Sequence, residues 1–277
     1  MTGPASILRR ARVMTSVYYA LMLEYRGEIF FWAIATSLPL IMMGIWIQAA
    51  ASGDFQLNQV EMARYFITVF VIRQLTVVWV IHDFEYYVVT GRLSPLLLQP
   101  VDPLWRFALT HVAEQFSRLP FTIALVGLCF LIFPAALWGT QDHPGLWAPR
   151  WWQFLLALLA CYCAWGLRFL MQYTLALGAF WFERIAASHQ LLYLPYLFLS
   201  GMVFPLEELP GGPGGLRSVF MLTPFPYMVW FPASLLTGGE APIVRGFVMM
   251  ALWAGVFWWL NRWLWRRGLK HYSAMGA

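Results

Sequence analysis

The sequence predicts an all-α membrane protein: six transmembrane helices preceded by an amphipathic helix at the interface. Three observations carry that prediction. Hydrophobic residues make up 61% of the 277 and charged residues only 11%, where a soluble domain carries roughly a quarter charged. Mean hydropathy is +0.63, which implies more apolar surface than a globular fold of this length hides from water. The apolar residues also gather into runs that reach the length of about 20 helical residues needed to cross a hydrocarbon core.

The elements follow in chain order. Ile7, Ala11, Met14, Tyr18, Leu21 and Tyr25 recur at helical spacing, with Arg9, Arg12 and Ser16 on another face. That pattern predicts an interfacial helix over residues 1–27. It does not read as a cleavable signal peptide, because Glu24, Arg26 and Glu28 interrupt the stretch behind the first arginines and no small-residue cleavage site appears. The first span is Ile29–Ile47, uncharged, with Pro39 as an expected kink. The second, Tyr65–Ile81, is interrupted only by Arg73. Pro120–Trp138 makes a third, extended towards its N-terminus by Ala108–Leu119. Phe154–Trp181 is the fourth; it carries Arg168 and a stripe of Ala157, Ala160, Cys161 and Ala164 that lets another helix approach closely. Ile185–Phe204, with a polar start at Ser188, His189 and Gln190, is the fifth, and Ile243–Leu264 the sixth. No internal repeat or linker divides the chain, so residues 1–277 read as one domain with its bundle over 28–270.

Charge sets the orientation. Arg9, Arg10, Arg12, Arg26, Arg92, Arg106, Arg184, Arg262, Arg266, Arg267 and Lys270 fall on one side of these spans. The other side has Arg64, Arg150, Arg217 and Arg245, diluted by acidic residues. The positive-inside bias therefore predicts that both termini are cytoplasmic. The net charge of +5 is a topology signal, and nucleic-acid binding is excluded. Trp138, Trp147, Trp151, Trp152, Trp258, Trp259, Trp263 and Trp265 stand where the interfaces with the lipid bilayer are expected. Cys129, Cys161 and Cys163 lie inside apolar runs and read as small packing residues.

Between spans two and three runs "GRLSPLLLQPVDPLWR", Gly91–Arg106, apolar yet broken by Pro95, Pro100 and Pro103. Ser94 can cap a helix, Pro95 suits its first turn, and the later prolines stop it. The result is a short cytoplasmic surface helix with exposed leucines. Those leucines could lie on lipid, pack on the N-terminal helix, or enter a groove on another protein; periodicity does not choose.

The stretch from Glu85 to Pro103 resembles the cytoplasmic loop of type-2 ATP-binding-cassette (ABC) exporter permeases. Gly91, Leu93, Leu96, Leu97, Pro100 and Val101 match that pattern, with Glu85 as its acidic residue; Ser94 and Pro95 stand where the family is often polar or acidic. A second stretch, "FLSGMVFPLEELP" at Phe198–Pro210 followed by "TPFPYMVWFPASLLTG", is similar to the family's fifth span and the re-entrant hairpin after it. Gly201, Pro205 and Pro210 fit the break, and Pro224, Pro226 and Tyr227 the return. The resemblance covers nearly the whole chain. It implies a permease subunit of an exporter in a bacterial cytoplasmic membrane, with Gly91–Arg106 as a coupling helix that docks on a cytoplasmic ATPase through Leu96 and Leu97. It further implies cytoplasmic ABC ATPase partners and a second permease subunit, identical or paralogous.

The chain has no G-x-x-x-x-G-K-[ST], and its one lysine is Lys270. The glycine-rich Pro210–Gly215 reads as a flexible loop. No cofactor is expected on this chain; ATP and magnesium belong to the partner ATPase. His82, Asp83 and Glu85 form the closest approach to a metal or acid–base cluster, and read better as a solvated loop entrance. An intramembrane enzyme acting on lipid and a non-transporting scaffold are the alternatives. Arg73 and Arg168 fall within spans, where an arginine costs about 2.5–3.5 kcal/mol on insertion scales. They either line the path of an anionic or amphiphilic substrate or are fixed by a carboxylate, such as Glu114, or by backbone carbonyls.

Overall fold

The computed structural model describes residues 13, 15–20, 24, 26–140, 145–210, 215–238 and 242–272. The expected interfacial helix falls largely outside them, although residues 15–20 are helical. Among the described residues the fold is all helix, with no strand.

The first apolar stretch is two helices, α1 (Arg26–Ala35) and α2 (Leu38–Ala50). The expected kink at Pro39 is instead a break at Thr36–Ser37. Pro39 lies in the first turn of α2, where its missing N–H leaves no bond unmade. α3 (Gln59–Leu75) starts from a capping box in which Asn58 accepts the Val60 and Glu61 amides and Glu61 accepts that of Asn58. The chain is irregular over residues 76–79 before it re-forms α4 (Val80–Val89). The second span is thus longer than expected and broken. α5 (Leu93–Leu97) is the short surface helix. α6 (Pro103–Ile132) runs unbroken through Pro120, capped by Asp102, whose carboxylate accepts the Leu104 amide at 2.9 Å.

α7 (Ala135–Trp138) is one turn, and α8 (Trp151–Ala176) continues into a 3-10 turn at Leu177–Phe180. Then come α9 (Ser188–Leu199), α10 (Leu216–Phe220), α11 (Trp230–Thr237) and α12 (Ile243–His271). Among the described residues five stretches are long and apolar enough to cross a membrane: Phe30–Ala50, Gln59–Val89, Pro103–Ile132, Trp151–Phe180 and Ile243–His271. The expected fifth span is not among them. Its helical part, Ile185–Leu199, rises only about 23 Å against a core of about 30 Å.

The helix is cut short because Gly201 adopts a left-handed φ of +84° and turns the chain back. Tyr65 closes the turn by donating its hydroxyl to the Gly201 carbonyl at 2.6 Å, and the Trp230 amide donates to the Ser200 carbonyl at 3.0 Å. The returning segment is driven inward: Met202, Leu206, Met228, Val229, Phe231 and Ala233 are fully buried. Lipid offers no hydrophobic drive between helices, so close packing of this kind supplies the cohesion. The expected small-residue stripe on α8 is buried in the same cluster.

α8 stands at the centre, packed by α4, α11 and α12, while α2 pairs with α3 and α1 with α6. The second stretch is 78% buried within the chain and the last only 11%. The second is therefore the core of the bundle, and α12 presents most of its surface outward. The apolar core is in two clusters. One holds α3, the first half of α8 and the fold-back; the other holds α4, α5, the start of α6 and the end of α8.

Candidate functional site

Two places concentrate the polar and exposed features: the knuckle around α5 and the seam between the two apolar clusters. The knuckle begins where Gly91, with φ of +72°, ends α4 by donating its amide to the Val88 carbonyl. α5 follows at once, one residue earlier than its expected cap. Ser94 is inside the helix rather than ahead of it, and its hydroxyl pairs with that of Tyr272 at 3.1 Å.

The leucines divide by face. Leu93 and Leu96 are buried in the second apolar cluster, whereas Leu97 is 38% exposed and Leu98 88% exposed. The expected outward pair, Leu96 and Leu97, is thus one position out: Leu96 anchors α5 to its own bundle, and Leu98 takes its place outside. The alternation was hidden because three successive leucines carry no periodicity. Pro95, Gln99 and Pro100 are exposed beside Leu97 and Leu98, and Val101 is half-buried.

Three bonds tie this knuckle to the turn that opens α9 and, twice, to α12. Glu85 on α4 accepts the Ala186 amide at 2.5 Å, at the turn that opens α9. Ser94 reaches Tyr272 at the end of α12. Asp102, besides capping α6, pairs with Arg262 on α12 at 2.5 Å. Glu85 is therefore a strut between helices; His82, Asp83 and Glu85 do not converge, and no metal-holding group of acids, histidines and cysteines occurs among the described residues.

At the seam, Arg73 is 7% exposed and Arg168 is 5% exposed. Ile72 and Leu167 beside them belong to one apolar cluster, Val78 and Phe169 to the other. Arg73 donates to Met202 Sδ at 3.1 Å and to Tyr193 Oη at 3.4 Å; Arg168 donates to Tyr196 Oη at 2.9 Å and lies over that ring, 4.4 Å from its centre. The two guanidinium groups are close enough to act on each other electrostatically. Among the described residues neither has a carboxylate partner. The expected partner, Glu114, is taken by Arg118 one turn away on α6, an ion pair that the sequence reading passed over. Arg168 lies buried beneath α9, whose Tyr196 it meets.

One turn beyond Arg73, the irregular stretch 76–79 leaves a backbone donor stranded, and His111 on α6 receives it. Its Nε2 accepts the Trp79 amide at 2.9 Å, while Nδ1 bonds the Phe107 carbonyl at 2.8 Å. A break in a membrane helix is tolerated when such a group re-satisfies it.

The fold-back places its expected markers plainly. Gly201 and Pro205 are buried at the turn, Pro210 is exposed, and Pro224 and Pro226 are buried in the return. Side chains missed by the sequence reading hold it. Trp46 donates to the Val203 carbonyl at 2.7 Å, Glu208 accepts the Gln56 and Leu57 amides, and Glu207 accepts the Trp230 indole at 2.6 Å. Burial pushes the Glu207 carboxyl above its ordinary value, in part offset by the Trp230 hydrogen bond. Partners more than twenty residues away in sequence leave no local signal.

A family model described as ABC-2 family transporter protein matches residues 31–276. The chain belongs to that family. No curated protein matches it. As a type-2 ABC permease it is a multi-pass membrane protein and a transport subunit, of a kind that associates with ABC ATPases. In an ABC-2 permease the two places described above acquire distinct meanings. The α5 knuckle is the exposed apolar projection, and the seam is the buried polar one.

Proposed function

We propose that this permease exports a small molecule or lipid-like amphiphile from the cytoplasm or inner leaflet of a bacterial cytoplasmic membrane, driven by ATP hydrolysed on separate ATPase subunits. The observation that carries the reading is the α5 knuckle. Leu97 and Leu98 project outward while Leu93 and Leu96 root the same helix in the core. An exposed apolar patch framed by prolines is stiff enough to transmit a push, and it suits a groove on a partner protein. Glu85 then passes displacement to α9, Ser94 to α12, and Asp102 to both α12 and α6.

The remaining parts fit that reading. The knuckle, the end of α12 and Arg262 share one end of the bundle, which supports a common cytoplasmic side for the basic residues and both termini. Ile185–Leu199 together with the fold-back makes the remaining crossing of a six-span bundle. The outward apolar faces of α1, α2 and α12 suit lipid and a second permease subunit, identical or paralogous. Export needs two bundle states that bind the cargo differently, and the break at 76–79 joins the knuckle to the seam.

The test is co-purification of the full chain with the ABC ATPase subunits of the membrane in which it is produced. Leu98→Asp and Leu97→Asp should abolish recovery of the ATPase while the permease keeps its melting temperature. Undiminished recovery with both variants would overturn the assignment.

A further inference from the structure

Arginine keeps its charge even when buried, so the seam holds two positive charges inside the bundle. The groups that meet them are neutral: two phenols and a thioether. The salt bridges among the described residues join Arg118 to Glu114 and Arg262 to Asp102; neither involves the seam. Arg73 Nε and Gln172 Oε1 are buried with no partner. Each guanidinium offers five donors in a planar fork, and most of those donors are unused here. A purely structural role would be met at lower cost by uncharged donors, since each mid-bilayer arginine costs about 2.5–3.5 kcal/mol.

We infer that Arg73 and Arg168 form a site for the anionic head of an amphiphile, with Tyr193 and Tyr196 holding the guanidinium groups while the site is empty. Planar forks of this kind bind carboxylate, phosphate and sulfate with paired hydrogen bonds. The cavity beside Arg168, lined also by Met171, Gln172, His189, Tyr193 and Tyr196, measures only about 10 Å³, so entry requires its cover to move. That cover is α9, which is short, contains Pro195 and ends at Gly201. The same helix shows Leu191 and Leu194 on its outer surface. A ligand whose tail stays among lipid chains along α9 while its head slips beneath fits this arrangement better than a small hydrophilic ion. That this ligand is the cargo rests on the transport reading; the binding does not.

The experiment measures equilibrium binding of radiolabelled oleyl phosphate and oleyl alcohol to the full chain in dodecyl maltoside micelles, with no ATPase present. The tails are identical and only the head differs. The wild type should bind the phosphate at least about tenfold more tightly, equivalent to 1.4 kcal/mol. Arg73→Gln and Arg168→Gln should each erase the preference. Tyr196→Phe keeps the ring and removes the competing hydroxyl, so it should tighten the phosphate further. Equal binding of the two probes by the wild type, as when a second copy's carboxylate fills the site, overturns the inference. So does a preference that survives both glutamine variants, which would move the anion to the basic surface near Arg267 and Lys270. If the glutamine variants fail to fold, unchanged or weaker phosphate binding by Tyr196→Phe overturns it. Loss of the ATPase assignment would leave this result standing, and the converse holds equally.

Discussion

Trp79 gives its backbone N–H to His111 Nε2 across 2.9 Å, so a side chain on one helix completes the backbone of another where that helix is broken. The break lies between Arg73 in the seam and the knuckle that follows α4. Interrupted spans form substrate and ion sites in many secondary transporters. Replacing His111 by Leu should strand the Trp79 amide, at a cost of about 1–3 kcal/mol. The expected signs are a lower melting temperature and faster hydrogen exchange at the Trp79 amide, with residues 66–72 unchanged. Unaltered exchange at Trp79 would remove the histidine from this role.

The two kinds of buried arginine should respond in opposite ways. Glu114→Gln strands Arg118, which is only 3% exposed at its side chain, and should destabilise by about 3–5 kcal/mol. Arg168→Met removes a charge that has no counter-ion among the described residues and leaves its phenol partner able to relax, so melting temperature should hold or rise. Thermal unfolding in detergent of both variants makes the comparison. A fall for Arg168→Met as large as that for Glu114→Gln would mean that Arg168 is balanced by an anion after all.

Gly201 cannot be replaced cheaply. At φ of +84° an alanine is strained, and its methyl would stand 2.5 Å from Tyr65 Oη. Gly201→Ala should therefore lower the melting temperature and loosen the fold-back. Adding Tyr65→Phe removes the colliding atom but also the hydroxyl that closes the turn, and leaves the backbone strain, so recovery should be at most partial. Complete recovery in the double variant would show that only the collision mattered.

Glu207 makes stability depend on pH. Its folded carboxyl holds a proton more tightly than the unfolded chain does, because burial outweighs the Trp230 bond. A raised carboxyl pKa contributes stability below the unfolded value near 4.5 and loses it as pH climbs through the folded value. The wild type should lose melting temperature over that rise. Glu207→Gln should flatten the curve while still accepting the indole N–H. Parallel pH profiles for the two proteins would rule the group out.

Much of the architecture was readable from the chain because lipid imposes long apolar runs, and five of the six expected spans are stretches of spanning length. What composition could not reveal were interruptions imposed by distant partners. Nothing local to Thr76–Trp79 announces a break, since His111 supplies its remedy from another helix. The apolar run suggested a fifth span reaching Phe204, while the resemblance put a break at Gly201, Pro205 and Pro210; the chain reverses at the first of these. At the knuckle the motif located α5 correctly but not its facing, since three adjacent leucines fit any rotation. The seam was half visible: Arg73 and Arg168 stood out in sequence, while the tyrosines that meet them did not.

Gly246 and Gly268 each lie flush against an aromatic ring, of Phe231 and Phe180 respectively, with no room for a methyl. Twenty-two steps of helix separate them, about 33 Å. Two pegs so far apart, each seated in its own socket, forbid α12 to roll or slide against its neighbours. A rearrangement that keeps both sockets filled carries α12, α8 and the returning segment together as one slab and leaves the slack to α9 and the gap before α4.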